Sequence, residues 1–303
     1  MSLLVTGTVG IDSVITPHGH QEKILGGSCT YFSAAASFYG PVRLVAAVGD
    51  DFPAEFHKTL QHFKSIDATG LEVRKGSKTF AWGGKYHENM NSRETLFTEL
   101  GVLMEKPPEV PAKFRDSAFV FLANSHPGVQ ETFLQSIPRP RLVVMDTMDL
   151  WINTARKELD ALLKCVDGLV LNYDEAELYT GKANTVAAAR AMLSSGLKFV
   201  VVKKGEHGCI LCHREGIAAL PAYPTERVID PTGAGDSFAG GMMGHLAAHP
   251  GDPLSIGAIR EALAHGTVVA SFNIEAFSLD RLKTLTRAEL DARYREFAAM
   301  VRF

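Results

Sequence analysis

Short, nearly continuous apolar runs alternate with amphipathic stretches through most of this 303-residue chain, and that rhythm constrains the fold more than any single motif. Residues 3–9, 42–48, 118–122, 142–145, 168–171 and 198–202 read as buried strands. Residues 28–39, 52–63, 129–136, 153–163 and 185–193 read as the helices between them. A strand apolar on both faces must be covered on both faces, so the pattern predicts a mostly parallel sheet between two helical layers. Two regions break the rhythm. Residues 13–25 and 71–98 lack a helical period and hold alternating patches such as Thr79-Phe80-Ala81-Trp82 and Thr95-Leu96-Phe97-Thr98. They read as antiparallel strands outside the main sheet, forming one small β flap or lid on a single domain spanning 1–303. Residues 253–303 read as helical, with Thr286 and Glu289 spaced as a capping box.

Bulk composition excludes several classes. With 31 Lys and Arg against 34 Asp and Glu, the net charge is −3. The basic stripe of a nucleic-acid binder is absent from these totals. The longest uncharged stretch, residues 24–42, carries three glycines and a proline and reads as a loop entering a buried helix, not a membrane span. The first residues show neither a basic segment nor a long apolar one, so no signal peptide is expected. Four cysteines then fit free thiols in a reducing, cytoplasmic compartment. Cys209-Ile210-Leu211-Cys212-His213 has the spacing of haem attachment, but it falls in an apolar run, where cysteine acts as a small buried hydrophobe.

The most informative segment is Asp230-Pro231-Thr232-Gly233-Ala234-Gly235-Asp236-Ser237. A proline and glycine turn followed by a helix of small residues leaves backbone N–H groups free at the helix N-terminus, an anion site. Asp236 falls in the first helical turn. A carboxylate beside an anion must be offset by a metal ion or a proton transfer. No phosphate loop of the Gly-x-x-x-x-Gly-Lys type occurs, and Gly7-Thr8-Val9-Gly10 lacks the spacing of a dinucleotide fingerprint.

This segment resembles the C-terminal motif of the PfkB family of carbohydrate kinases, which has a ribokinase-like α/β/α fold. Four further segments appear in the family's order. They are Gly26-Gly27 before a helix, Gly49-Asp50-Asp51-Phe52, Asn172-Tyr173-Asp174-Glu175, and Lys203-Lys204-Gly205-Glu206-His207-Gly208. The resemblance implies an ATP-dependent kinase acting on a hydroxyl of a small sugar, with Asp236 as base. The N–H groups of Gly233, Ala234, Gly235 and Asp236 would form the anion hole. It implies Mg²⁺ held through Asn172 and Glu175, largely by way of water, although both residues also suit a helix cap. Asn172, Lys204 and Gly205 fall on the nucleotide side, with His207 and residues 268–274 near the base. Asp230 and Thr232, with residues 272–277, resemble a monovalent-cation (K⁺) loop.

For the acceptor, the resemblance implies Asp12, Gly26 and Gly27. Family members often carry Asn four residues after the second glycine; here that position is Tyr31. The flap residues Trp82 to Asn89 suit a sugar face, a nucleobase, their own small core or a homodimer contact. Lys85 and Arg93 could serve a phosphorylated acceptor. The alternatives are a nucleoside kinase and a non-catalytic sugar or nucleotide sensor; a sensor has no need of Asp236.

Overall fold

The apolar runs form strands because their branched and aromatic side chains suit a pleated surface buried on both sides. The computed structural model describes residues 1–302. Its strands are β1 (Leu3–Thr6), β2 (Gly10–Thr16), β3 (Gly19–Gly26), β4 (Val42–Gly49), β5 (Ile66–Arg74), β6 (Phe80–Tyr86), β7 (Arg93–Glu99), β8 (Phe119–Leu122), β9 (Leu142–Asp146), β10 (Gly168–Asn172), β11 (Phe199–Lys203), β12 (Cys209–His213) and β13 (Gly216–Leu220). Its helices are α1 (Ser28–Ala36), α2 (Ala54–His62), α3 (Pro127–Gln135), α4 (Asp149–Thr154), α5 (Arg156–Leu162), α6 (Tyr173–Thr180), α7 (Thr185–Leu193), α8 (Ala234–Ala248), α9 (Ile256–Asn273), α10 (Asp280–Thr284) and α11 (Arg287–Met300). Residue 303, the last of the tail read as helical, lies outside the described residues.

Nine strands make the main sheet in the order β13-β12-β11-β10-β9-β8-β1-β4-β5. It is parallel except where β12 pairs antiparallel with β11 and β13. Alternate residues feed two cores. Leu3, Val5, Phe119 and Phe121 pack with α1, α2 and α8 to α11. Leu4, Val120 and Leu122 pack with α3 to α7 on the other face. The layers are therefore α/β/α, as the rhythm predicts. The Phe32 and Phe121 rings stack at 4.5 Å across one interface.

The flap is a second sheet, ordered β3-β2-β6-β7. Three details of the flap differ from the sequence expectation. Leu71 to Arg74 belong to β5 and extend the main sheet, pairing in parallel with β4. The flap begins at Gly10 rather than residue 13, so it includes Asp12. Its central pair, β2 with β6, is parallel; β2 enters the flap from the sheet edge, and β6 enters only after β5, running the same way. The expected helix over 153–163 is two helices that meet at Ala155, outside helical geometry at φ −132° and ψ 38°. Cys209 and Cys212 are buried in β12, and all four cysteines are free. Thr286 and Glu289 form the expected capping box. Among the described residues no helix is long and apolar enough to cross a membrane.

Candidate active site

The glycine turn is held at both ends. Asp230, fully buried, accepts the Thr232 N–H at 2.8 Å through Oδ1. The Thr232 carbonyl accepts from Asn273 Nδ2 at 2.8 Å, and the N–H groups of Ile229 and Asp230 donate to the Ile274 carbonyl. The turn is thus tied to the end of α9. Gly233 caps α8 in the left-handed region at φ 74°. The Ala234 N–H donates to the Pro231 carbonyl at 3.1 Å. This corrects the four-donor hole: the N–H groups of Gly233, Gly235 and Asp236 are the ones without an acceptor among the described residues. They lie at the positive end of a 15-residue helix.

Polar and charged groups at the ends of three parallel strands converge here, at the carboxyl edge where open α/β sheets bind ligands. Lys203 ends β11, and its Nζ lies 2.8 Å from where a Cβ on Gly235 would sit. Of the lysine pair, Lys203 rather than Lys204 reaches the turn; the Lys204 N–H closes the next turn on Gly208 at 2.7 Å. Asp146 ends β9, buried, with Oδ1 unpartnered. Burial and the nearby Asp236 raise its pKa well above the carboxylate range, and Lys203 opposes them. Burial also raises Asp236, against Lys203 and Arg93. At the end of β10, Asn172 Oδ1 accepts the Glu175 N–H at 2.8 Å and Glu175 Oε2 accepts the Asn172 N–H at 2.7 Å. The cap reading of that pair holds, and one Glu175 oxygen stays available.

The flap supplies the opposite wall. Arg93 on β7 stands over Trp82, 5.5 Å from the ring, and its charge favours the ionised forms of Glu175 and Asp236. At the flap tip, Asn91 Nδ2 donates to Glu206 Oε1 at 2.9 Å, touching the turn that holds Gly205 and His207. The flap therefore bridges to the segment read as the nucleotide side.

Asp12 lies buried in β2, accepting the Gly27 N–H. Its carboxylate fills the space over Gly26, where a Cβ would come within 1.9 Å of Oδ2. Its Oδ1 is unpartnered. Tyr31 is buried rather than open to a ligand ring: its ring packs beneath Gly233, and its hydroxyl is unpartnered. Tyr86 accepts from Thr232 Oγ1 at 3.3 Å. Burial, helped by Asp230, pushes Asp12 up to about 8, and burial pushes Asp230 up to about 6. Among the described residues, oxygens of Asp230, Asn273, Asp12 and Asp146 have no hydrogen-bond partner, the chemistry of groups that can take a cation or a hydroxyl.

These shifts fix a pH dependence. A carboxyl whose folded pKa exceeds its unfolded value favours folding while protonated, and that contribution is lost as pH rises through the folded pKa. In ligand-free, chelator-treated protein the melting temperature should therefore fall between pH 4 and 8. Asp12→Asn should flatten the upper part of that fall. Calorimetry at stepped pH checks it; a curve with the same slope in wild type and variant would show that Asp12 does not carry the effect.

Asp146 was not read from sequence as a site residue, and Lys203 only as the first residue of the segment in which Lys204 was chosen. Each is a charged residue closing an apolar strand at its carboxyl end, and that position is the signal that could have found them.

Comparison with known proteins adds to this geometry. Residues 7–284 match the profile of the pfkB family carbohydrate kinases. The chain belongs to the PfkB family. Among its curated relatives is the cytidine kinase of Thermococcus kodakarensis, 30% identical over 249 residues, covering 80% of this chain and 87% of that one. The ribokinase of Giardia lamblia shares the fold with a TM-score of 0.81 at 19% identity, over 98% of this chain and 99% of that one. The aminoimidazole riboside kinase of Salmonella enterica, solved with aminoimidazole riboside and an ATP analogue, gives 0.77 at 18% identity, over 97% and 100%. The PfkB match runs from the loop after β1 to the end of α10, so it takes in both the flap and the glycine turn. This PfkB kinase is a phosphotransferase with a hydroxyl acceptor.

Proposed function

We propose that this kinase transfers the γ-phosphoryl group of ATP to a hydroxyl of a small sugar or nucleoside, with Asp236 as the base. One observation carries the reading: a carboxylate in the first turn of α8 stands beside three unpaired backbone N–H groups and the Lys203 ammonium. In the reaction the acceptor O–H gives its proton to an Asp236 oxygen. The oxygen–phosphorus bond forms as the bond to the β-phosphate oxygen breaks, and ADP departs with the electron pair. The free N–H groups and Lys203 stabilise charge on the transferring group. A raised pKa makes Asp236 a stronger base than an exposed aspartate. Asp12 Oδ1 is free to accept from an acceptor hydroxyl, and Tyr31 supports the turn from beneath.

The buried, unpartnered Asp146 Oδ1 and the free Glu175 oxygen suit Mg²⁺, with Asn172 orienting Glu175. The ion would neutralise phosphate charge. Asp230 Oδ2 and Asn273 Oδ1, orphaned on residues that both bond Thr232, would supply oxygens for K⁺. Gly205 and Lys204 lie on the nucleotide side. Free cysteines and a need for ATP fit the cytoplasm. The nucleoside reading is favoured by the cytidine kinase relative and by Trp82 and Arg93 on the flap.

A screen of ATP consumption across sugars, sugar phosphates and nucleosides should find one class turned over. Excess EDTA should abolish that turnover, and replacing K⁺ with a bulky organic cation should slow it. No consumption with any acceptor would favour the sensor reading. The flap also offers a homodimer contact, since β3 and β7 are open edges and Leu96 and Phe97 are exposed on β7. Light scattering at micromolar concentration should report a dimer; a monomer removes that part.

A further inference from the structure

A second cluster of ligating side chains lies at the far end of α8. His245 is nine residues beyond Asp236, roughly 13 Å along the helix axis at about 1.5 Å per residue. On α9, Glu261 and His265 are spaced i, i+4 and share one face. The two helices pack closely, because Gly241 and Gly266 meet between them; a Cβ on Gly241 would lie 3.0 Å from the Gly266 Cα. The His245 and His265 rings stack at 4.1 Å, and His245 Nε2 is 3.8 Å from Glu261 Oε1. One donor atom from each of the three residues falls within a 4.8 Å set.

We propose that His245, Glu261 and His265 form a binding site for one divalent transition-metal ion of the zinc class. Zinc–nitrogen and zinc–oxygen bonds of about 2.0–2.2 Å put two ligands of one ion within about 4 Å of each other. Imidazole lone pairs lie in the ring plane, so one ion needs the stacked His245 and His265 rings to turn toward a shared point as well as about an ångström of approach. Two imidazoles and a carboxylate are a donor set that suits zinc and its neighbours rather than magnesium. The surroundings orient the ligands. The Tyr39 hydroxyl meets His265 Nδ1 at 3.2 Å, and when Nδ1–H donates to it, Nε2 carries the lone pair available to an ion. Tyr294 stacks on the other face of His265 at 3.9 Å. Arg287, the nearby cation over Tyr39, opposes positive charge at both histidines; it is paired with Asp291 at 2.8 Å, and Glu261 is the opposing charge beside His245. The Glu261 side chain is 48% exposed, which gives the ion a route in and a position for water. The ion would tie the carboxyl end of α8 to α9, and so brace the helix whose other end holds the glycine turn.

The test uses the full chain, stripped with chelator and titrated with Co²⁺ and with Zn²⁺. His245→Phe keeps the ring stack and removes a ligand; Glu261→Gln changes a half-exposed side chain and should fold normally. Wild type should take up one more equivalent of Co²⁺ than either variant, with a visible absorption band that both variants lose. Zn²⁺ at roughly a hundredfold excess over Kd should raise the wild-type melting temperature by about 5 °C and leave the variants unmoved. Without metal all three should melt within about 2 °C of one another. The same Co²⁺ stoichiometry and band in wild type and variants, or no band in wild type, would overturn the site.

Discussion

Asp236→Asn should lower kcat by at least about 10²-fold while ATP affinity stays within about tenfold. The amide keeps the shape of the carboxylate, and the residue 236 N–H stays in the anion hole. What is lost is the proposed proton acceptor. Electrostatics sharpen the expectation. Asp236 opposes ionisation of the buried Asp146, while Lys203 and Arg93 hold Asp236 toward its charged form. Replacing it removes a negative charge that the nucleotide phosphates would meet and leaves Lys203 free to face them. Ground-state ATP binding should therefore be unchanged or tighter, as turnover collapses. Calorimetry for ATP and a coupled assay for turnover separate the two. Near-normal kcat in the variant would remove Asp236 as the base; equal loss of kcat and of ATP binding would point to a collapsed turn instead.

The layered sheet was legible because its rule is local: an apolar run with no polar face must be covered twice, and Leu3, Leu4 and Val5 do feed opposite cores. The flap was legible only as an absence of helical period. Leu71 to Arg74 carry the same alternation as flap strands, and only their pairing with β4 separates them. The glycine turn was readable because proline, glycines and aspartates leave few backbone options. Asp146 and Lys203 were harder. Each is one charged residue after an apolar run, and its importance depends on which strands lie side by side. The strand order brings β9, β10 and β11 together opposite α8, although their ends are 26 and 31 residues apart in sequence. The role of Tyr31 was also hidden. Sequence places an aromatic residue four positions after Gly27, but only the structure shows that it lies under Gly233.

That contact leads to the second large effect. Gly233→Ala should cut kcat by about 10²–10³-fold, with stability lower by roughly 1–3 kcal/mol. At φ 74° an L-residue is strained by about 1–2 kcal/mol. The new Cβ would also lie 2.2–2.4 Å from three carbons of the Tyr31 ring. Ordinary contact needs more than an ångström of retreat. The ring is enclosed in the core, so the turn must lift, carrying the N–H groups of residues 233, 235 and 236 away from their target. A displacement of about 1 Å at a reacting centre costs on the order of 10² in rate. If the ring is the obstacle, removing it should restore part of the activity. In a Tyr31→Ala background, Gly233→Ala should cost much less in kcat, a coupling of about 1–3 kcal/mol in the cycle. The residual loss would measure the left-handed backbone alone. Equal losses in both backgrounds would show that the turn does not rest on Tyr31, and would return that residue to the acceptor side of the site.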